Sequence, residues 1–178
     1  MFENVALPLR ENTDMKPKEI EERVMAKLEL LAIPQARDRF PNQISGGMAK
    51  RAGLARAVVM EETLKVILYD EPTSGLDPIS TATVDEMVNE LKDRLGLTQV
   101  IVTHDMASAY RTADRIAVLY QGALAQYGTP EEIQNSEVPY VRQFVHGLST
   151  KNALVTRETS GRFRRSGVTQ ALKEEELE

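Results

Sequence analysis

The chain contains no cysteine and no long hydrophobic run. The absence of cysteine excludes disulfides and thiolate metal sites, and it is compatible with a reducing compartment. No apolar stretch approaches the ~18 residues that span a bilayer, and the first residues lack the basic start and apolar core of a signal peptide. The net charge of −5 gives no reason to expect a nucleic-acid partner. These features predict a cytoplasmic protein, unless a partner holds it at a membrane.

The middle of the chain alternates between strand and helix patterns. Lys65–Pro72 and Gln99–Asp105 are short apolar runs, which are typical of strands buried on both faces of a parallel sheet. Helical periodicity predicts one helix over Asp14–Ile33. A further helix is expected to begin at Asp77, which precedes a proline, and to end at Gly96. Alternation of this kind predicts an α/β domain with a mostly parallel sheet.

The last third of the sequence changes in character. Arg115–Gly128 predicts two strands that are joined across Gly122. Thr129 and Glu132 then have the spacing of a capping box, which predicts the start of a helix. Residues 149–178 have few apolar side chains and no periodicity, so they are predicted to form a polar C-terminal tail.

Two acidic residues follow the first predicted strand, and a histidine follows the second. Ligands collect beyond the carboxyl ends of the strands in open α/β sheets, which is where Asp70, Glu71 and His104 are expected. We predict that Asp70 serves a Mg²⁺ ion and that Glu71 reaches a water molecule, because adjacent strand residues point to opposite faces. Pro72 is expected to keep Glu71 extended. The simpler alternatives are an acidic loop and a structural histidine.

A serine and two glycines stand at the start of another predicted helix. Helix N-termini carry unsatisfied N–H groups and a partial positive charge, so they bind anions. Ser45 is able to cap this helix, while Gly46 and Gly47 would let a phosphate approach the backbone amides. Taken alone, this stretch is equally compatible with an ordinary loop end.

Four short motifs occur in order along the chain: “ISGGM”, “VILYDEP”, “SGLD” and “VTHD”. With this order and spacing, residues 1–148 resemble the C-terminal part of an ABC-transporter ATPase. The resemblance implies an α/β P-loop NTPase (RecA-like) core that binds ATP and Mg²⁺. It further implies that residues 11–60 form the helical subdomain with the signature motif, and that residues 61–128 form the core with the Walker B, D-loop and switch-histidine motifs.

The resemblance also implies a role for each motif residue. Asp70 would be the Walker B aspartate near Mg²⁺, Glu71 the general base that orients the attacking water, and His104 the switch histidine. The implied signature motif, which contacts ATP held mainly by a second subunit, consists of Ser45, Gly46, Gly47 and Met48. The implied D-loop, which lies across the dimer interface, consists of Ser74, Gly75, Leu76 and Asp77.

Further stretches, “FENVALPLRE”, “LDPIS” and “YVRQFVHG”, resemble the ATPases of MCE-type (Mla-like) phospholipid transporters. The partners that this resemblance implies are a membrane permease, a second ATPase subunit in a homodimer and an MCE-type substrate-binding protein. It implies a location on the cytoplasmic face of the membrane. An uptake system for another organic solute is the rival assignment.

One element of the family pattern is absent from the sequence. The Walker A loop has the form G-x-x-x-x-G-K-[ST], and none of the ten glycines here is followed by lysine. The N-terminal β-subdomain, the P-loop strand and the Q-loop glutamine are also expected to be missing. The chain alone is therefore predicted to be inactive. Two alternatives are a non-catalytic module that supplies its signature motif to a partner ATPase, and an SMC- or Rad50-like head, which would require long coiled coils that the sequence lacks.

Overall fold

A computed structural model describes residues 1–148. The predicted polar tail, residues 149–178, lies outside the described residues. The chain divides after Thr112 into two compact units. No helix in the described part is long and apolar enough to cross a membrane.

Three helices form one part of the first unit. Helix α1 (Phe2–Asn12), α2 (Pro17–Leu30) and α3 (Gly46–Val58) pack against one another in all three pairs. The helix predicted over Asp14–Ile33 is confirmed as α2. The apolar pattern does not by itself predict α1, in which Pro8 lies inside the helix. The side chains from the three helices that are buried in the core include Val5, Leu9, Val24, Leu28, Ala55 and Val58.

Both strands predicted in the middle of the chain are present. Strands β1 (Val66–Asp70) and β2 (Thr98–Val102) pair in parallel, with Leu68 opposite Val100 and Asp70 opposite Val102. No other described strand pairs with either of them. The carboxyl ends of the two strands therefore lie side by side.

The burial of these strands differs from the sequence prediction. Ile67 and Tyr69 are buried in the core, but on the opposite face Leu68 is 76% exposed and Val102 is 59% exposed. The prediction that both faces are covered is therefore wrong for the described residues. The physical reason is that an apolar run indicates burial only when other elements supply the covering surface, and here helices cover one face of a two-stranded sheet.

Two further helices follow the strands. Helix α4 (Pro78–Leu95) begins as predicted, because the Asp77 side chain accepts hydrogen bonds from the backbone N–H groups of Ile79 and Ser80. It ends as predicted at Gly96, which adopts the left-handed conformation with φ 59°. Helix α5 (Met106–Thr112) follows β2. The termini of α4 are thus determined by local chemistry.

A buried carboxylate joins α4 to α5. Asp85 is 2% exposed, and its carboxylate accepts hydrogen bonds from Ser108 Oγ at 2.6 Å and from Arg111 Nε at 2.9 Å. Arg111 Nη2 also lies 2.7 Å from the carboxylate. Since α5 begins two residues after His104, this network anchors the segment that carries the histidine.

We expect Asp85→Ala to lower the free energy of unfolding by about 2 kcal/mol, because the buried Ser108 hydroxyl loses its carboxylate partner. The matched control is Glu90→Ala, which removes an exposed ion pair with Arg94 in the same helix and should change the stability by about 0.5 kcal/mol or less. Denaturant titration of both variants measures the difference. Equal stabilities would contradict the assigned role of Asp85.

The described part of the second unit, residues 113–148, contains a hairpin and two short helices. Strands β3 (Ile116–Tyr120) and β4 (Ala123–Gly128) pair antiparallel across Gln121 and Gly122, both of which have positive φ. This confirms the predicted strand pair. Helix α6 (Pro130–Gln134) begins with the predicted capping box, and α7 (Pro139–Val145) places Tyr140 against Tyr120 with ring centroids 3.8 Å apart. The α/β class is thereby confirmed.

Candidate nucleotide-hydrolysis site

Glu71 lies directly after β1 in an unusual backbone conformation. Its φ is 49°, in the left-handed region, so the prediction that Pro72 keeps it extended is wrong. Such a conformation costs a non-glycine residue roughly 1 kcal/mol or more and persists only when its surroundings determine it. Here the Glu71 N–H donates to the Val102 carbonyl at 2.9 Å, and the Ser74 N–H donates to the Glu71 carbonyl at 3.2 Å.

His104 is joined to Glu71 by two contacts. Oε1 of Glu71 accepts a hydrogen bond from the His104 backbone N–H at 3.1 Å and lies 2.8 Å from Nδ1 of the imidazole. Glu71 directly follows β1 and His104 lies two residues after β2, so the parallel pairing of the strands brings the two residues together. The imidazole is 74% exposed at its side chain. The remainder of the ring is therefore accessible to a ligand.

The Glu71 carboxylate raises the pKa of His104 above its ordinary value of 6.5, first through the side-chain hydrogen bond and then through its charge, with a smaller contribution from Asp105. A raised folded-state pKa stabilises the fold at low pH. This contribution should be fully present below the unfolded pKa and lost as pH rises through the folded pKa. NMR titration is expected to show a His104 pKa above 6.5 that falls in Glu71→Gln. An unchanged pKa in that variant would contradict the contact.

The second carboxylate oxygen of Glu71 has a different environment. Oε2 is buried and has no hydrogen-bond partner among the described residues. A buried acceptor without a partner is costly. The carboxylate therefore has one oxygen bound to His104 and one whose capacity to accept a hydrogen bond is unused among the described residues.

Asp70 ends β1 beside Glu71 and is exposed. No cluster of three or more metal-ligating side chains occurs within residues 1–148. A Mg²⁺ ion is commonly held by one or two carboxylates together with substrate phosphates and water. A single exposed carboxylate beside a candidate base is compatible with that kind of site, and Asp70 is the residue that could hold the cation.

The start of α3 matches the predicted capping. Ser45 is the N-cap, and its Oγ accepts a hydrogen bond from the Met48 N–H at 3.2 Å. Gly46 and Gly47 lie within the first turn, not in the loop before it. A Cβ added at Gly46 would lie 3.8 Å from Leu76 Cδ2, and one added at Gly47 would lie 3.8 Å from Ser80 Oγ. This turn therefore adjoins the start of α4.

The predicted D-loop residues occupy the turn between Glu71 and α4. Ser74 is exposed, and Gly75 has a φ of 76°, which glycine adopts without strain. Asp77 caps α4, and hydrogen bonds from Ser80 and Ile79 lower the pKa of its carboxyl. The turn thus presents backbone and a hydroxyl on the surface of the first unit.

The structure adds one residue to those singled out from the sequence. Lys50 Nζ, on α3, donates to the Glu71 carbonyl at 3.0 Å. Helical periodicity marks apolar positions and says nothing about a lysine that reaches another element. The sequence signal that points to it is its place one turn after Gly46 and two residues after the signature motif.

The chain is similar in sequence to known proteins. The sequence model of the ABC transporter family matches residues 1–74. The probable ribonucleotide transport ATP-binding protein mkl of Mycobacterium leprae is 42% identical over 147 residues, which are 83% of this chain and 42% of that protein. The intermembrane phospholipid transport system ATP-binding protein MlaF of Escherichia coli K12 is 38% identical over 149 residues, which are 84% of this chain and 55% of that protein.

A solved structure is similar as well. The structure of cbiO1 from Clostridium perfringens, described as part of the ABC transporter complex cbiONQ, has a TM-score of 0.66 and 29% identity, covering 85% of this chain and 59% of that one. The chain spans about half the length of the curated relatives. Its fold and sequence are therefore similar to part of an ABC-transporter ATP-binding protein.

Proposed function

We propose that the chain belongs to the ATP-hydrolysing subunit of an ABC transporter and supplies its signature motif, Walker B acids, D-loop and switch histidine, but not the phosphate loop or the Q-loop glutamine. The observation that carries the proposal is the contact between Glu71 and His104 at the carboxyl ends of β1 and β2. It orients a carboxylate with one free, buried oxygen beside an exposed carboxylate at Asp70. This arrangement suits the activation of water next to a metal-bound phosphate.

Each group has a distinct role in the proposed reaction. Glu71 Oε2 accepts a hydrogen bond from the attacking water, while His104 holds Oε1 and thereby fixes the direction of the carboxylate. The exposed edge of the imidazole is free to donate to a phosphate oxygen. Asp70 would hold Mg²⁺, which when bound neutralises charge on the phosphates.

The remaining motif residues would act on the nucleotide of a second subunit. The start of α3 presents backbone N–H groups and the positive end of the helix dipole to a phosphate. Gly46 and Gly47, in the first turn, have no side chains that would block the approach of the phosphate. The turn at Ser74, Gly75 and Asp77 would lie across the same dimer interface. ATP thus binds between two copies of the intact subunit, each completing the site of the other.

We further propose the subdomain roles and the partners. Residues 11–60 form the helical subdomain, which docks on a membrane permease at the cytoplasmic face of the membrane. Residues 61–128 form the nucleotide core. The phospholipid assignment, with an MCE-type substrate-binding protein as a further partner, rests on the motifs shared with MCE-type ATPases and on the 38% identity with MlaF.

The first test is the intact mass and N-terminal peptide of the endogenous protein, together with the ATPase activity of the complex purified from its own cells. A longer chain with an upstream Gly-Lys-Ser or Gly-Lys-Thr, and Mg²⁺-dependent ATP hydrolysis, is expected. Deletion of the gene should change the phospholipid distribution between the membranes of the envelope. A defect confined to the uptake of another solute would overturn the lipid assignment but not the ATPase.

A second candidate function follows from the sequence. Because no glycine precedes a lysine, the chain could act as a non-catalytic module that supplies its signature motif to a partner ATPase. An endogenous protein that begins at Met1 and copurifies with a complete ATPase would support this candidate. The intact pair of Glu71 and His104 argues against it, since such a module has no use for them.

A further inference from the structure

Lys50 forms a contact that none of the motifs requires. It lies one turn into α3, and its ammonium group donates to the backbone carbonyl of Glu71 at 3.0 Å. Within residues 1–148, no carboxylate forms an ion pair with Lys50. The hydrogen bond is charge-assisted and partly shielded from water, which makes it stronger than a bond between neutral groups.

The neighbouring basic residue, Arg51, forms different contacts from those of Lys50. Arg51 donates to the carbonyls of Ala32 and Gly47, at 3.3 Å and 3.4 Å. It therefore ties α3 to the end of α2 and to its own first turn. Lys50, in contrast, donates to the turn that follows β1. The two adjacent basic residues therefore contact different parts of the first unit.

Glu71 is a residue that needs such a contact. Its left-handed φ of 49° is unfavourable for a glutamate and persists only when the surroundings hold the backbone in place. The hydrogen bond from Lys50 holds the Glu71 backbone at a fixed position relative to α3, and a shift of that backbone would move the carboxylate relative to the His104 N–H. Lys50 thus influences the direction of the Glu71 carboxylate through the backbone, although the side chains of the two residues form no hydrogen bond or ion pair with each other.

We infer that Lys50 is a positioning residue that links the first turns of α3 to the conformation of Glu71. This inference rests on the proposed function, in which Glu71 orients the attacking water. A phosphate bound at Ser45–Met48 would lie about one helical turn from Lys50, and Lys50 in turn contacts the backbone of the proposed base.

The test compares Lys50→Met with Lys50→Arg in the full chain. Methionine keeps the aliphatic length and removes the donor, whereas arginine restores a donor. In Lys50→Met we expect the His104 amide proton to exchange about tenfold faster, as follows from the loss of one charge-assisted hydrogen bond, and the His104 imidazole pKa to fall. Lys50→Arg should restore both values. His146, the other histidine of the chain, reports on changes elsewhere.

Lys18→Met is the matched control, since Lys18 is 87% exposed at its side chain on α2. It should leave the His104 signals unchanged. A Lys50→Met variant with wild-type exchange and titration at His104 would overturn the inference, as would an equal effect of Lys18→Met. Failure of the proposed function looks different: the native complex would not hydrolyse ATP, while the dependence of His104 on Lys50 would persist.

Discussion

Glu71→Gln is expected to lower ATP hydrolysis by the native complex by at least about a hundredfold, the usual contribution of a general base. Glutamine has nearly the same shape and keeps an oxygen that can accept from the His104 N–H, but it does not take a proton from water. Steady-state phosphate release from the purified complex measures the effect. ATP-dependent association of the subunits should be retained.

The control for this experiment is Glu131→Gln, which changes an exposed carboxylate in the first turn of α6, outside the proposed helical subdomain and nucleotide core. Its activity should equal that of the wild type. A Glu71→Gln complex that retains more than about a tenth of the wild-type rate would show that another group activates the water. Asp70 would then be the next carboxylate to change.

The isolated 178-residue chain is expected not to hydrolyse ATP above background. Phosphoryl transfer depends on positioning the phosphates and on stabilising their charge, and the lysine and loop amides that do so in this class are absent from the sequence. Phosphate release and calorimetric titration with MgATP are the measurements. Saturable micromolar binding of MgATP would contradict the prediction.

Mixing with a second ATPase subunit distinguishes between the possible reasons why the isolated chain is inactive. Mixing the 178-residue chain with a complete ATPase subunit whose own signature motif is disabled by a Gly46→Glu equivalent tests whether the signature motif of this chain supports turnover. Restored hydrolysis would indicate that the start of α3 completes a site whose phosphate loop and general base belong to the partner. No restoration, with the chain folded and dimerised, would count against the proposed roles of the start of α3.

Local signals in the sequence predict much of the fold. Asp77 and Gly96 delimit α4 because a cap and a left-handed residue act over a few positions. The turn at Gln121 and Gly122 joins β3 to β4 for the same kind of reason. The covering of β1 and β2 could not be predicted, because it depends on which distant elements pack on each face.

The proximity of Glu71 and His104 could be predicted from the sequence, but the detailed geometry of the candidate site could not. The parallel pairing expected of β1 and β2 accounts for the proximity of Glu71 and His104. The left-handed backbone of Glu71 and the reach of Lys50 result from hydrogen bonds between elements 21 residues apart or more. Neither the effect of a proline on the residue before it nor helical periodicity predicts the Glu71 conformation or the Lys50 contact.

The two glycines in the first turn of α3 have an evolutionary consequence. Neither has a positive φ, and an added Cβ would find only ordinary contacts at 3.8 Å, so the fold itself does not require glycine at Gly46 or Gly47. Alanine is favoured over glycine in a helix by up to about 1 kcal/mol per position. Selection for heat resistance alone would therefore drive both positions to alanine. Their persistence as glycine would reveal selection for ligand binding.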